Sequence, residues 1–502
     1  MNFCAYNHMM NSPIKLKPLS VKRRPIKVEI ETSRVIMRPY ISGGEERIRG
    51  LLNRILALDE EEAAPLLENI ILEFSDRHRS FRKILLENFR RVEYYLPEGV
   101  ALTEDKRLLI GSYVSCEYSI EAAALFNPSI VPHPNQEGHK EGSLRFIMSF
   151  RATGEGHISS IEFRSGIIDE ESNIYLDPIS DYVETPTYQN PTFDTHLFRL
   201  KLDEINGYND ASNFMLDELG DTFTLEDLDE RIHQLKEYEN FEQEHPTSNR
   251  DEAIQMVLWL ARSNYEMKFN EEHRISERVI FPVSENESRG IEDARFVRFV
   301  NDDGKITYYA TYTAYNGFTI LPQLMETEDF LTFKMITLNG KAVQNKGMAL
   351  FPRKINGNYV MLSRQDGESN YMMFSENLHF WQEAKLMQNP ELSWEFVQVG
   401  NCGSPIETSE GWLVLTHGVG PMRQYSISAE LLDLENPIKI IKRLKEPLIV
   451  PNKEEREGYV PNVAYTCGAM VHNDVLIIPY GVADQRCGVA TVSLPELLSH
   501  MQ

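Results

Sequence analysis

The chain has 502 residues, of which 42% are hydrophobic and 25% are charged, a composition typical of a globular protein with ample core. Its formal net charge of −25 argues against nucleic-acid binding, because an acidic surface and phosphate groups repel each other, and against attachment to a membrane through basic residues. The five cysteines are far apart and form no CxxC pair, so we predict neither a metal site nor a disulfide framework, but buried, reduced thiols.

The N-terminal residues 1–27 are basic but lack the apolar region of a signal peptide. No apolar run in the chain approaches the length that spans a membrane. We therefore expect a cytoplasmic protein.

Residues 44–96 have the spacing of amphipathic helices, with apolar residues recurring at i, i+3, i+4 and i+7. Three such stretches follow one another, Ile48–Leu56, Leu66–Phe74 and Phe81–Phe89, with charged residues on the opposite faces. We predict a helical N-terminal extension over residues 1–107 with a structural role.

From about residue 108 the apolar period changes to two, as in strands, and turn-forming residues such as Asn301–Gly304 separate the segments. The strand candidates are LRFIMSF, ISSIEF, ITYYATYTAY, FKMITL, YVMLSR, YMMFSE, GWLVLTHGV, DVLIIPYGV and GVATVSL. Many short strands predict an all-β sandwich, barrel or propeller. Their spread over roughly 300 residues favours a propeller domain over residues 108–502, because one sandwich is usually smaller.

Residues 203–265 interrupt this pattern with helical periodicity. Thr224 is a suitable N-cap for a helix that begins at Leu225, and DEAIQMVLWLARS is a second amphipathic run. We predict an acidic helical insertion that acts as a lid or an interface. Self-association into a homo-oligomer through the helical segments is a further expectation, because amphipathic faces need an apolar partner.

The segment SRGIEDARFVRF, residues 288–299, places Glu292 and Asp293 between a glycine and two arginines at the start of a strand. By itself such a run is typical of a solvated ion-pair cluster. Polar residues recur at the corresponding ends of other strands, and in a propeller those ends face one mouth of the central channel. These residues are Asn127, Arg151, His157, Arg364, His417 and Asp484.

In combination these segments resemble glycoside hydrolase family 130, the mannoside phosphorylases and related mannosidases. The resemblance rests on Gly290–Arg295, on Asn345–Pro352, on His417 and Gly418 after a Gly-Trp-Leu strand, and on Tyr480, Gly481 and Asp484. It runs from about Asn127 to Leu498 without the helical insertion, and the first hundred residues have no counterpart in the short members. It implies a five-bladed β-propeller.

The resemblance also implies roles for individual residues in an inverting attack on a β-mannoside. Asp293 matches the proton donor, which acts through the sugar 3-hydroxyl, and a donor is needed because a glycosidic oxygen leaves poorly unless it is protonated. The residues expected to bind the sugar are Asn127, Arg151, His157 and Asp484. The residues expected to bind phosphate are Asn345, Lys346, Arg364 and His417. Arg295 would hold the loop and Glu292 would lie behind Asp293.

Two positions depart from the phosphorylase pattern. Gln344 and Gln398 stand where the family's phosphorylases carry arginine and lysine. Two cations of the phosphate site are therefore missing, although Lys346 and Arg423 could substitute for them.

Phosphate is itself a nucleophile and needs cations, whereas water needs a second carboxylate about 6.5–9.5 Å from the acid. The candidates for such a base, Glu407, Glu457 and Asp366, fall in no recognisable motif. We predict phosphorolysis of β-1,2- or β-1,4-linked manno-oligosaccharides to α-mannose 1-phosphate, with inorganic phosphate as co-substrate and no metal or other cofactor. The alternatives are an inverting β-mannosidase and a non-catalytic glycan-binding propeller.

Overall fold

The computed structural model describes residues 19–41, 43–189, 191–246, 248–317 and 320–502, so the first 18 residues, including Cys4, lie outside the described part. Strands predominate in that part and form six sheets. The fold is therefore mainly β, with the helices concentrated in two segments. No helix among the described residues is both long and apolar enough to cross a membrane.

The N-terminal segment contains two strands before its helices. It runs through β1 (Lys22–Val28), β2 (Val35–Pro39), α1 (Glu45–Leu56), α2 (Glu60–Phe74), α3 (Phe81–Arg90) and α4 (Glu104–Tyr113). The first three helices confirm the prediction for residues 44–96, and their apolar faces pack together with α4 in one cluster. The strands β1 and β2 were not predicted, because β1 pairs with the last strand of the chain, a partner that local periodicity does not reveal.

The next strands are β3 (Ser115–Ser119), β4 (Ala124–Pro132), β5 (Leu144–Thr153), β6 (Ser159–Ile168), β7 (Ile174–Leu176), β8 (Thr187–Gln189) and β9 (Phe193–Asp194). β3 pairs with β2, whereas β4 to β7 form an antiparallel series. The strand pattern therefore begins at Ser115, and α4 crosses the expected boundary at residue 107.

The helical insertion extends from Thr195 to Arg262 and begins earlier than predicted. It contains α5 (Thr195–Glu204), α6 (Asp210–Leu216), β10 (Thr222–Phe223), α7 (Leu225–Glu237), α8 (Phe241–Glu244) and α9 (Arg250–Arg262). Thr224 caps α7 as predicted, since its hydroxyl accepts a hydrogen bond from the Asp227 N–H at 3.2 Å. The apolar faces of these helices pack against one another. These apolar faces are therefore buried within the insertion itself. Self-association through the helices stays a prediction.

The chain then returns to strands. These are β11 (Tyr265–Lys268), β12 (Val279–Ile280), β13 (Gly290–Val300), β14 (Ile306–Tyr315), β15 (Ile320–Thr327), β16 (Thr332–Thr337), β17 (Ala349–Leu350), β18 (Tyr359–Ser363), β19 (Asn370–Ser375), β20 (Ala384–Gln388), β21 (Gln398–Asn401), β22 (Ile406–Thr408), β23 (Gly411–Val419), β24 (Tyr425–Leu432) and β25 (Ile440–Arg443). The last elements are β26 (Ala464–Tyr465), β27 (Met470–His472), β28 (Val475–Val482), β29 (Arg486–Ser493) and α10 (Leu494–His500). Each of the nine predicted strand segments lies largely within one of the strands, which confirms the period-two analysis.

The strands pair mainly with sequence neighbours. The series β13 to β16 is antiparallel and shares an eleven-stranded sheet with β4 to β7, whereas β17 to β20, β21 to β25 and β26 to β29 form separate sheets.

The cysteine prediction was right for Cys402, Cys467 and Cys487, which are free and buried. It was wrong for Cys116, which is free but exposed. Cys116 lies on β3, opposite Arg38, in a two-stranded sheet that does not enclose it.

Candidate active site

Seven of the nine residues predicted to carry chemistry line one cavity of about 310 Å³. They are Asn127 on β4, Arg151 on β5, Asp293 on β13, Lys346 before β17, Arg364 after β18, His417 on β23 and Asp484 between β28 and β29. Because these elements belong to separate parts of the chain, the site exists only in the folded domain.

A β-bulge explains how two adjacent acids reach the same cavity. Successive side chains of a regular strand point to opposite faces, so Glu292 and Asp293 would normally diverge. The register of β13 against β14 shifts between Glu292 and Arg295, and Asp293 adopts a left-handed conformation with φ 55°. Both carboxylates consequently line the cavity, at the cost of local backbone strain.

Asn127 is positioned by the same device. β4 shifts register between Phe126 and Ser129, and Asn127 has φ 49°. Its amide nitrogen donates to Asp293 Oδ1 at 2.7 Å. Its amide oxygen is buried and has no partner among the described residues, so it is available to accept a hydrogen bond from a ligand hydroxyl.

Arg151 bridges the two acids. It donates to Glu292 Oε1 at 2.6 Å and to Asp293 Oδ1 at 3.4 Å, and its guanidinium lies 5.0 Å from the centre of the Phe126 ring. Burial raises the pKa of Asp293, but the charge of Arg151 and the Asn127 hydrogen bond outweigh it and leave that pKa below its usual value. Asp293 is therefore ionised at neutral pH.

The pKa of Asp484 shifts in the opposite direction to that of Asp293. Burial and the negative charge of Asp293 raise the pKa of Asp484 to about 6, against the opposing effects of Arg151 and Arg423. Ala483 and Asp484 have φ values of 49° and 50° in the turn between β28 and β29. The cavity thus contains one carboxyl group that is ionised and one that retains a proton to near pH 6, which is the type of pair used for proton transfer.

Arg295 lines the cavity and also holds its walls together. It donates to the Gly347 carbonyl at 2.9 Å and to the Tyr465 hydroxyl at 2.6 Å, and it also contacts Asn401. These contacts tie β13 to the segment that carries Lys346, consistent with the loop-holding role implied by the resemblance.

The basic side chains that line the cavity differ in whether a carboxylate pairs with them. Lys346 lies 3.8 Å from Glu292, whereas Arg364 and Arg423 form no ion pair within the described ranges. Arg364 Nε is buried without a partner there. Met422 and Arg423 are both in the left-handed region, with φ values of 58° and 54°, so a strained turn holds Arg423 at the cavity.

His417 lines the cavity, but both of its ring nitrogens have protein partners. Nδ1 is 3.2 Å from the Asn401 carbonyl, which only accepts, so Nδ1 carries the proton and Nε2 accepts from the Gln398 amide at 2.9 Å. Burial, followed by the charges of Arg364 and Arg295, lowers the pKa of His417 well below its usual value. The phosphate contact predicted for His417 would therefore have to come from a neutral ring whose two nitrogens already have protein partners.

Two predicted residues do not line the cavity. The exposed His157 meets the Tyr459 hydroxyl at 3.1 Å through Nδ1, and Asn345 uses its side-chain oxygen to accept the Lys346 N–H at 3.0 Å. The two glutamines also separate, because Gln398 lines the cavity whereas the exposed Gln344 donates to the Lys341 carbonyl at 2.6 Å.

The suggested bases for water activation lie elsewhere. Glu407 pairs with Arg353 at 2.7 Å, Asp366 accepts hydrogen bonds from its own turn, and neither they nor Glu457 line the cavity. Sequence analysis missed Tyr425 and Tyr465, which do line it. No sequence motif includes either tyrosine. In the structure the Tyr425 ring stacks on the His417 ring, with 5.9 Å between the ring centres.

No metal site accompanies these residues. Within the described ranges, no group of three or more His, Cys, Asp or Glu side chains is arranged to hold a metal ion.

Comparison with known proteins yields a family match and several relatives. The model of glycoside hydrolase family 130, described as beta-1,4-mannooligosaccharide phosphorylase, matches residues 248–502. A 1,2-beta-oligomannan phosphorylase of Thermoanaerobacter sp. (strain X514) is 36% identical over 233 residues, which are 45% of this chain and 75% of that protein. A beta-1,4-mannooligosaccharide phosphorylase of Ruminococcus albus is 31% identical over 243 residues, 45% of this chain and 71% of that protein.

A beta-1,2-mannobiose phosphorylase of Listeria innocua is 31% identical over 239 residues, 44% of this chain and 63% of that protein. The solved structure of a beta-1,2-mannobiose phosphorylase from Listeria innocua, in complex with beta-1,2-mannobiose, aligns with a TM-score of 0.45 at 20% identity, over 76% of this chain and 92% of that one. The family match covers half of the chain and includes Asp293, Arg364, His417 and Asp484 of the cavity. The chain therefore belongs to glycoside hydrolase family 130.

Proposed function

We propose that the protein is an inverting phosphorylase that cleaves β-mannosides with inorganic phosphate and releases α-mannose 1-phosphate. The observation that carries this proposal is that Arg364 and Arg423, two guanidinium groups without an acidic partner in the described part, line the same cavity as Asp293. Guanidinium groups bind phosphate through paired hydrogen bonds. The printed activities of the relatives, on β-1,2- and β-1,4-linked mannosides, are of the same class.

In this proposal the sugar is held by Asn127, Arg151 and Asp484. The free amide oxygen of Asn127 accepts from a hydroxyl, and Arg151 donates to the ring substituents as well as to the two acids. His157 lies outside the cavity lining and would reach only a sugar unit that extends beyond it.

The proton reaches the leaving group through Asp293. Asp484, whose pKa is raised to about 6, also carries a proton below that pH. A bound mannoside removes water from Asp293 and so favours its neutral form. Asp293 then protonates the glycosidic oxygen, directly or through a sugar hydroxyl, while phosphate attacks the anomeric carbon from the opposite face.

Phosphate is held by Arg364 and Lys346, with Arg423 as a third cation and His417 as a wall of the pocket. Asn345 contributes through the backbone that presents Lys346. This set compensates for Gln344 and Gln398, because Arg423 and Lys346 supply positive charge at the cavity itself.

Hydrolysis is the second candidate, since Gln398 leaves this cavity less positive than a lysine would and Asp484 is a second carboxyl group that could deprotonate water. The deciding experiment incubates the protein with β-1,2- and β-1,4-manno-oligosaccharides, with and without phosphate, and quantifies mannose and mannose 1-phosphate separately. Phosphate-dependent formation of mannose 1-phosphate is expected. Mannose release that is independent of phosphate would establish the hydrolase, and binding without turnover would establish a glycan-binding protein.

The strand groups β4–β7, β13–β16, β17–β20, β21–β25 and β26–β29 are proposed to be the five blades of a propeller. Each group contacts the next, through β4 and β13, β14 and β17, β18 and β21, and β24 and β26, and β28 contacts β4 to close the series. β1 pairs with β29 and so adds a strand from the N-terminal part of the chain to the last group. Such pairing between the two ends of a chain can hold a ring of blades closed. Removing residues 1–28 should therefore lower the midpoint of thermal unfolding below that of the protein that lacks only residues 1–18. Equal stability of the two truncated proteins would contradict closure by β1.

A further inference from the structure

A second polar cavity, of about 620 Å³, lies at the other end of the strands that carry Asn127 and Arg151. Arg145 and Arg151 are both on β5, near its opposite ends. Six residues of a strand span about 20 Å. His133, which also lines the second cavity, directly follows β4, whose first half contains Asn127. The second cavity is therefore distinct from the candidate active site and opens at the opposite end of the same sheet.

Three arginines of this cavity lack an acidic partner. Arg145, Arg274 and Arg278 line it, and none forms an ion pair with a carboxylate in the described part of the chain. Arg278 is only 7% exposed. It donates to the carbonyls of Phe330 at 2.9 Å and His273 at 3.1 Å, and its Nε has no partner among the described residues. Burial lowers the pKa of Arg278 despite the nearby charges of Glu184, Asp329 and Glu277, none of which forms an ion pair with it in the described part, so this buried guanidinium is only partly compensated.

His133 adds a neutral hydrogen-bond donor. Its Nδ1 accepts the Asn135 N–H at 2.9 Å, so the proton of the neutral ring is on Nε2. Burial and the positive charges of Arg145 and Arg278 lower the pKa of His133 to about 4, with a small opposing effect of Asp177. The ring thus stays neutral near pH 7, in positive local surroundings.

The other charged groups of the cavity are largely occupied. Asp177 accepts from the Ser165 hydroxyl at 2.5 Å, and Asp329 accepts from the Leu331 N–H at 2.8 Å, while Glu271 is exposed at the rim. A fourth arginine, Arg164, is bound to carboxylates outside the cavity lining. The unused hydrogen-bonding capacity therefore includes the guanidinium donors of Arg145 and Arg274 as well as carboxylate oxygens of Asp177 and Glu271.

We propose that this cavity binds the phosphoryl group of a phosphate monoester, such as a sugar phosphate or a nucleoside monophosphate. The guanidinium groups of Arg145, Arg274 and Arg278, none of them paired with the carboxylates of the lining, favour an anion, and their planar shape suits the oxygens of a phosphoryl group. The volume is twice that of the candidate active site, about 620 against 310 Å³, which accommodates the organic part of an ester as well as its phosphate. Binding in this cavity is independent of whether the active site uses phosphate or water, because the two cavities share no lining residue.

The test is calorimetric titration of the full-length protein with α-mannose 1-phosphate, adenosine monophosphate and inorganic phosphate. All titrations use an R364A background, which weakens anion binding at the candidate active site. R145Q/R274Q removes two partly or fully exposed arginines of the cavity, and R82Q/R90Q removes two exposed arginines of α3 as the matched control.

At least one monoester is expected to bind in the R364A background, about tenfold more weakly after R145Q/R274Q, and with unchanged affinity after R82Q/R90Q. With Arg364 intact, R145Q/R274Q should leave the turnover of mannosides unchanged when no monoester is present. The proposal is overturned if no monoester binds in the R364A background, or if only inorganic phosphate binds. Equal affinity in the R145Q/R274Q and control proteins also overturns it. None of these outcomes depends on whether phosphorolysis takes place.

Discussion

Two clusters of arginine and glutamate or aspartate side chains are built from the same chemical groups but differ in enclosure. The first, termed the catalytic cluster, consists of Arg151, Glu292 and Asp293, whose side chains are 13–19% exposed at the cavity. The second, termed the enclosed cluster, consists of Arg34, Arg164, Glu121 and Glu162, whose side chains are 0–4% exposed.

The backbone at the two clusters differs as well. Asp293 is at a bulge with a positive φ, whereas Glu162 and Arg164 lie in the regular strand β6. Arg34, in the turn between β1 and β2, contacts both glutamates. It therefore joins the N-terminal arm, residues 22–39, to β6. A ligand can exchange hydrogen bonds with the catalytic cluster, but nothing can reach the enclosed one. The comparison teaches that access and strain, rather than residue type, separate an ion pair that a ligand can reach from one that only holds the fold together.

Replacing Asp293 should have the largest effect on activity. D293N removes the proton donor while it preserves the shape of the side chain, so kcat on a manno-oligosaccharide should fall by roughly 10²–10⁴-fold, the usual contribution of general acid catalysis. The matched control is E407Q, which changes a carboxylate of a surface ion pair outside the cavity and should leave kcat unchanged. Unaltered turnover of an unactivated mannoside by D293N would remove Asp293 from the mechanism.

Breaking the enclosed cluster should affect stability and not chemistry. R34A leaves Glu121 and Glu162 with one arginine, Arg164, and loss of a buried partner typically costs about 3–5 kcal/mol in the free energy of unfolding. R353A, which opens the surface pair with Glu407, should cost only about 0–1 kcal/mol. Both values can be measured by urea unfolding. If R34A were as stable as R353A, the enclosed cluster would not anchor the N-terminal arm.

The phosphate proposal predicts a selective effect at Arg364. R364K keeps the charge but loses the paired donors, so the KM for phosphate should rise about tenfold, with a smaller change in the KM for the mannoside. R298K, on β13 but outside the cavity lining, is the control and should behave as the wild type. Equal changes in both KM values would indicate general damage to the site and not a phosphate contact.

The raised pKa of Asp484 predicts the smallest effect, a change in how kcat/KM depends on pH. A carboxyl group with its pKa raised to about 6 is protonated below that pH, so kcat/KM at a fixed phosphate concentration should decline as the pH rises through about 6. D484N should flatten this decline, whereas H417Q should keep it, because His417 is already neutral in this range. A decline that is lost in H417Q and kept in D484N would reverse the assignment.

Local sequence patterns determined most of the secondary structure and the core of the site. The alternation in ITYYATYTAY and GWLVLTHGV gave correct strands, and the helical spacing of residues 44–96 gave correct helices, because periodic burial is a local property. The Gly290–Arg295 motif singled out Asp293, which lines the cavity, whereas its role as the acid stays a prediction.

Only the tertiary structure decided how polar groups meet across the chain. It separated Gln398, which holds His417 at the cavity, from Gln344, which lies on the surface, although both stand at expected cation positions. It also paired β1 with β29 and placed Arg34 between two glutamates. The physical reason is that strand period and motif fix which face a residue occupies, whereas its hydrogen-bond partners come from distant segments that only the packed sheets bring within reach.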